Sequence, residues 1–209
     1  MRKLLFLAVI LTIAVGCASH PPDPAKFMEE GKAKMDAGDF QGAIRAFEEA
    51  IKAGASGPEV YFLLGNAHLQ IGQIEPAIEA YNKALSLDPG HLGALTNLGT
   101  AYYTKGELEE AIRYYRKGLE IKPDDPELHY LLGAAYIQKG LLDEALKEME
   151  EAIRLKPSFP EPYFGLGVIY KLRGEKEKAV EAFEQFLKAG PPQDPRAVEE
   201  AKKMIEELR

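Results

Sequence analysis

LGALTNLGTAYYTKGELEEAIRYYRKGLEIKPDD, residues Leu92 to Asp125, is one copy of a 34-residue pattern that the chain writes five times. The same skeleton starts at Pro58, at Pro126 and at Pro160, and a weaker copy starts at Pro24. Three columns carry it. Gly31, Gly65, Gly99, Gly133 and Gly167 form the first; Gly38, Gly72, Gly106, Gly140 and Gly174 follow seven residues later; Ala43, Ala77, Ala111, Ala145 and Ala179 form the third. A fixed period of this size means a repeat array, in which each unit buries its apolar face only by stacking on its neighbours.

Within the copy from Leu92, Leu95, Leu98 and Tyr102 recur at i, i+3 and i+7, one face of a helix. Lys105-Gly106 stops that helix, because glycine accepts the left-handed C-terminal conformation. A second stripe follows in Leu108, Ala111, Ile112, Tyr115 and Leu119, and Pro123 forbids its continuation. Each unit therefore reads as helix-turn-helix. Gly99 and Ala111 are small where the two helices must approach, and Tyr102 and Tyr115 fill the space between them. Neither helix exceeds the ~12–15 residues that are marginal in isolation, so the stack supplies the stability.

These columns resemble the tetratricopeptide repeat, whose signature is W-x2-L-G-x2-Y, then A-x3-F, then P. The copy from Pro58 matches with Tyr61, Leu64, Gly65, His68, Ala77, Tyr81 and Pro89; the copy from Pro160 matches with Tyr163, Leu166, Gly167, Tyr170, Ala179, Phe183 and Pro191. The resemblance implies an all-α, right-handed solenoid of five repeats, 24–57, 58–91, 92–125, 126–159 and 160–193. Departures are few. The first copy has Glu30, Lys34 and Ala55 for leucine, tyrosine and proline, which predicts a looser first junction at residues 54–57. The fourth has His129 for the tryptophan and Met149 for the phenylalanine.

Residues 194–209 carry Val198, Ala201, Met204, Ile205 and Leu208 on one stripe. With Asp194 as cap and Pro195 as first residue, they predict a capping helix over the last face of the stack. Phe186, where earlier copies have Ala50, Ala84, Gly118 and Ala152, is its expected seat. Docking of a partner by this helix is the alternative.

At the other end, Met1-Arg2-Lys3 is followed by an apolar run from Leu4 to Val15 and then Gly16-Cys17. The run is shorter than the ~20 residues of a membrane-spanning helix and reads as a secretory signal peptide, 1–16. Ala14-Val15-Gly16-Cys17 is similar to the lipobox of bacterial lipoproteins. That resemblance implies cleavage before Cys17 and lipid attachment, palmitate included, on Cys17; an ordinary signal peptide with a chance cysteine is the alternative. Cys17 is the only cysteine, so no internal disulfide is possible. Ala18 stands where inner-membrane lipoproteins typically carry aspartate. By resemblance the destination is the periplasmic face of the outer membrane, or the outer cell surface in a single-membrane host. Residues 17–23 form a short proline-stiffened tether reaching roughly 20 Å. Cleavage takes the net charge from −7 to −9, through loss of Arg2 and Lys3.

The chemistry-bearing residues form no catalytic constellation. Of the four histidines, His68 and His129 replace repeat aromatics and are expected as buried packing, His91 lies at a turn, and no pair has the i, i+4 spacing of a helical zinc site. Glycines follow the repeat period and not a phosphate-binding GxxxxGK pattern. An acidic chain without a basic cluster is a poor candidate for binding nucleic acid, and no nucleic-acid partner is expected; acidic runs such as Glu109-Glu110 and residues 148–151 read as solvated outer faces. No enzyme, metal, cofactor or small-molecule substrate is expected.

In the family the first helix of each repeat lines a concave groove. Carried over, the groove positions are Phe62, Asn66 and Leu69; Thr96, Asn97, Thr100 and Tyr103; Tyr130, Ala134 and Ile137; and Phe164, Val168 and Lys171. The set is mostly uncharged, with two asparagines able to hold a peptide backbone and aromatics at intervals, which suits a polypeptide segment with apolar side chains. The carboxylate clamp of chaperone co-factors is absent: its matching positions, Met28, Phe62, Thr96, Tyr130 and Phe164, include no base. By resemblance the chain is a lipid-anchored, non-enzymatic adaptor of the bacterial envelope. Assembly of a type IV pilus or secretin, adaptors for cell-wall hydrolases and a self-assembling scaffold are the roles that the resemblance offers.

Overall fold

A computed structural model describes residues 23–192 and 194–209; the leader, Cys17 and the tether up to residue 22 lie outside the described residues. The described residues form eleven α-helices and no strand: α1 (Pro24–Asp36), α2 (Phe40–Lys52), α3 (Pro58–Gln70), α4 (Ile74–Leu87), α5 (Leu92–Lys105), α6 (Leu108–Ile121), α7 (Pro126–Lys139), α8 (Leu142–Leu155), α9 (Glu161–Arg173), α10 (Lys176–Ala189) and α11 (Arg196–Leu208). Each helix packs on the one before and the one after it. The result is the all-α solenoid expected from the period.

The turn column works as its glycines require. Gly38, Gly72, Gly106, Gly140 and Gly174 all have φ between 73° and 79°. At Gly106 the amide donates to the Tyr103 carbonyl at 2.9 Å and the Glu107 amide donates to Tyr102 at 2.9 Å, a Schellman closure of α5. Side chains cap other helices: Asp39 accepts from the Gly42 amide at 2.9 Å, and Asp125 from Glu127 and Leu128. His91, read as a plain turn residue, caps α5 by accepting from the Ala94 amide at 3.1 Å.

The other glycine column is a row of sockets. A Cβ on Gly31 would lie 2.3 Å from the Phe47 ring, on Gly65 2.6 Å from Tyr81, on Gly99 2.6 Å from Tyr115 and on Gly167 2.5 Å from Phe183. Each ring comes from the second helix of the same repeat and is at most 1% exposed. The alanine column is completely buried at the same crossings.

Ion pairs follow the period as well. Lys105 pairs with Glu75 at 3.8 Å, Lys139 with Glu109 at 2.9 Å, and Arg173 with Asp143. Each joins the end of one first helix to the start of the preceding second helix, where base and acid also suit the helix dipoles. Exposure keeps every such pair weak. The first junction has Gln41 and Ile71 at these positions and so lacks the pair.

The final helix starts at Arg196, with Pro195 as its cap residue, one residue later than expected; Asp194 still accepts from the Arg196 amide at 3.0 Å. Ala201 and Ile205 bury against Ala179, Phe183 and Phe186. Ala201 falls in the column of Gly167, so α11 sits where a sixth first helix would.

Candidate functional site

Odd-numbered helices touch the next odd-numbered helix from α1 to α9, whereas successive even-numbered helices make no comparable contact among the described residues. The odd helices are therefore crowded on the inside of the curve, and their free faces form its concave surface. All thirteen groove residues expected from the sequence are half-buried, flanked in their helices by buried neighbours. They divide into two regions and one exception.

The first region, on α3 and α5, is polar and internally bonded. The Asn66 carbonyl oxygen accepts from the Tyr81 hydroxyl at 2.8 Å and from the Asn97 amide at 2.7 Å. Of the two asparagines expected to hold a peptide backbone, Asn66 therefore has both lone pairs of its oxygen engaged, which leaves only its NH2 group and the Asn97 oxygen outside this pair of bonds. Thr96 and Thr100 donate to the Leu92 and Thr96 carbonyls at 3.0 and 3.1 Å, and the Thr100 hydroxyl lies 3.2 Å from that of Tyr115. Phe62 leans on His91, ring centroids 4.7 Å apart, and Leu69 packs into the core beneath.

The second region is apolar. Tyr103, Tyr130, Ala134, Ile137, Phe164 and Val168 line one pocket of about 370 Å³ between α5, α7 and α9, with Met149 and Gly165 at its base and Gln138 and Glu161 also in its wall. Tyr130 stands edge-on to Phe159 at 5.4 Å, and Phe164 edge-on to Phe183 and Phe186 at 5.3 Å each, so packing holds the aromatic walls in place. Burial raises the Tyr103 hydroxyl. Burial, reinforced by the nearby Glu161 carboxylate, pushes Tyr130 up to about 12. Both phenols are neutral donors at physiological pH.

The exception is Lys171. Its ammonium lies 2.7 Å from the Met204 sulfur and 3.4 Å from the Glu207 carboxylate, so it ties α9 to α11 at the end of the groove. It is a brace for the final helix as much as a wall of the groove.

Two histidine expectations also change. His68 is half-buried and bonded to Gln73 at 2.7 Å. His129 contacts Glu148 at 2.6 Å and the Pro123 carbonyl at 2.9 Å. Neither is plain packing, and Glu148, read as solvated surface, is a partner that joins α8 to α7. Among the described residues, no group of three or more His, Cys, Asp or Glu side chains is placed to hold a metal ion. Gly165, Gln138 and Glu161 were missed by the sequence reading. The signal for Gly165 was a glycine outside both glycine columns.

Comparison with known proteins follows the same lines. Family models described as "TPR repeat" match residues 99–140 and 133–174, and models described as "Tetratricopeptide repeat" match 28–91, 80–113 and 160–191. A comparison with curated proteins yields no match. Among solved structures, MamA protein is similar at 31% identity over 79% of this chain and 91% of that one, with a TM-score of 0.73. TTC0263, a thermophilic TPR protein of Thermus thermophilus, is similar at 23% identity, 87% and 98% coverage and a TM-score of 0.67. YrrB, a TPR protein with an unusual peptide-binding site, is similar at 22% identity, 87% and 92% coverage and a TM-score of 0.70.

Proposed function

This chain belongs to the tetratricopeptide repeat family, a family of protein-interaction scaffolds, and from that premise we propose that it is a non-enzymatic adaptor that holds a partner polypeptide in its concave groove and is tethered to the bacterial envelope by lipid on Cys17. The observation that carries the groove is the alignment of Asn97, Tyr103, Tyr130 and Phe164 along the inner helices, a donor-and-acceptor region running into an apolar pocket. An extended segment crossing it meets a carbonyl and amide groups for its backbone, and aromatic area for its side chains. Assembly of an envelope complex such as a pilus or secretin is the setting this reading favours.

Asn97→Ala combined with Tyr130→Ala is expected to abolish capture of the specific partner from an envelope extract while helicity is retained. Undiminished capture by the double variant, with loss on changing Met204 or the acidic outer faces instead, moves the site off the groove. Anchoring is tested separately. Cys17→Ser is expected to shift the protein from the membrane fraction to the soluble one, and intact mass of the wild-type protein is expected to show acyl chains. An unmodified Cys17 refutes the anchor and leaves the groove reading in place.

A further inference from the structure

On the outer side of the solenoid, one second-helix position is filled differently from repeat to repeat. Tyr114, Glu148 and Ala182 occupy it at 34-residue intervals. Tyr114 lies flat on Tyr102, with centroids 5.6 Å and planes 4° apart, and the Arg113 guanidinium lies 4.4 Å from its ring centre. Glu148 bonds to His129 at 2.6 Å. Ala182 brings only a methyl group. A cavity of about 330 Å³ remains above it, between Tyr163, Leu166 and Tyr170 on α9 and Lys178, Glu181 and Gln185 on α10. Arg116 of α6 donates to Tyr136 of α7 at 2.6 Å, so the first-helix column that holds Tyr170 faces the second-helix layer and not the groove. The first repeat has the same cleft over Ala46, but it is smaller, about 140 Å³, and Lys34, paired with Glu30 and Asp39, stands in place of the ring.

We infer that the outer cleft of the fifth repeat receives one aromatic side chain, Tyr or Phe, of a different polypeptide, lying on Tyr170 as Tyr114 lies on Tyr102 and flanked by Lys or Arg. The site is separate from the groove and does not rest on it. The third repeat supplies the template, since there the chain covers the same two-helix cleft with its own ring. Tyr163, Leu166 and Tyr170 are half-buried and keep apolar surface for an incoming ring, and the volume suits one side chain with its flanking backbone. The charge of the flank follows from the rim. Glu181 stands where the third repeat has Arg113, and its carboxylate has no hydrogen bond or ion pair among the described residues. The one cation in the wall, Lys178, is already bonded to Glu175. Its ammonium lies 5.4 Å from the Tyr170 ring centre on an exposed side chain, which yields to a ring at little cost. A cation beside the ring then meets Glu181, as Arg113 meets Glu110 in the third repeat. A second copy of the chain does not fit: among the described residues its exposed large apolar side chains, Ile71, Leu87, Ile121, Leu172 and Leu187, are all aliphatic.

The test is selection of a random-peptide phage library on the purified protein, with counter-selection on Ala182→Tyr, which fills the cleft as the third repeat does. The retained peptides are then synthesised and their affinities measured. They are expected to share one aromatic residue with Lys or Arg close by. Their affinity is expected to fall by about tenfold or more on Ala182→Tyr and on Tyr170→Leu, which keeps an apolar side chain and removes the ring. Should Ala182→Tyr disturb the fold, Tyr170→Leu carries the same reading. Selection repeated on Glu181→Lys is expected to keep the aromatic residue and lose the cationic flank. Asn97→Ala with Tyr130→Ala is expected to leave the affinity of these peptides unchanged, which separates the cleft from the groove. Retained peptides with aliphatic anchors, affinities indifferent to Ala182→Tyr and Tyr170→Leu, or no peptide surviving counter-selection each overturn the cleft and leave the groove reading standing.

Discussion

Gly99→Leu is expected to lower the denaturation midpoint sharply, by at least the ~1–3 kcal/mol of an overpacked core site. A Cβ there meets the Tyr115 ring at 2.6 and 2.8 Å, before the rest of a leucine is placed. The ring has little room to retreat: it is 1% exposed and its hydroxyl lies 3.2 Å from that of Thr100. Leucine's better helix propensity returns only ~0.8 kcal/mol, so the clash wins. Gly106→Ala tests the other kind of glycine. No atom lies within 4 Å of its Cβ, but φ is +79°, so the change costs only backbone strain of ~1–2 kcal/mol. Because each repeat contacts only its neighbours, the damage from Gly99→Leu should weaken the central repeats first and broaden the urea transition. Adding Tyr115→Ala to Gly99→Leu is expected to cost less than the two single changes together, since the leucine then occupies the space of the ring. An unchanged midpoint for Gly99→Leu would mean that the two columns do not meet.

That pairing of Gly99 with Tyr115 was legible in the sequence because it repeats. A glycine and a ring sixteen residues apart, five times over with one thioether among them, leave one arrangement of two short helices that places small against large. The seat of α11 was legible for a related reason: Phe186 breaks a column of small residues, and a ring at the end of a stack needs a cover. The chemistry of the groove was less so. Asn66 and Asn97 are 31 residues apart on different helices, and their bond to each other depends on the angle between α3 and α5, which no one-dimensional pattern contains. The close contact of Met149 with Gly165 needed two departures to be seen together. Met149 was visible as a break in its column, but Gly165 lies in a column with no fixed residue, and only the packing of α8 on α9 brings them together. The ion-pair ladder from Glu75 to Arg173 was hidden in plain periodicity, since its members join neighbouring repeats and the 34-residue signature describes only contacts within one.

Alkaline pH is expected to unfold the solenoid across the range from about 10 to about 12, through its buried phenols. Burial pushes the Tyr115 hydroxyl up to about 12 and raises Tyr81 as well. In the unfolded chain both titrate near 10. A raised value in the fold means that the unfolded state loses its proton first. The stabilisation is therefore complete below pH 10 and is lost as pH climbs towards the folded value. Two units at Tyr115 correspond to about 2–3 kcal/mol, a large part of a marginal stability. Tyr81 adds in the same direction, because burial penalises its phenolate by more than the neighbouring Asn97 amide can offset. Lysine deprotonation weakens surface pairs over the same range, so the informative quantity is the difference between wild-type and Tyr115→Phe. The variant is expected to be less stable at pH 8, having lost the contact with Thr100, and to fall less steeply between pH 10 and 12. Parallel pH profiles for the two proteins would mean that Tyr115 ionises in the folded state as readily as in water, and that the space between α5 and α6 is wetter than its burial implies.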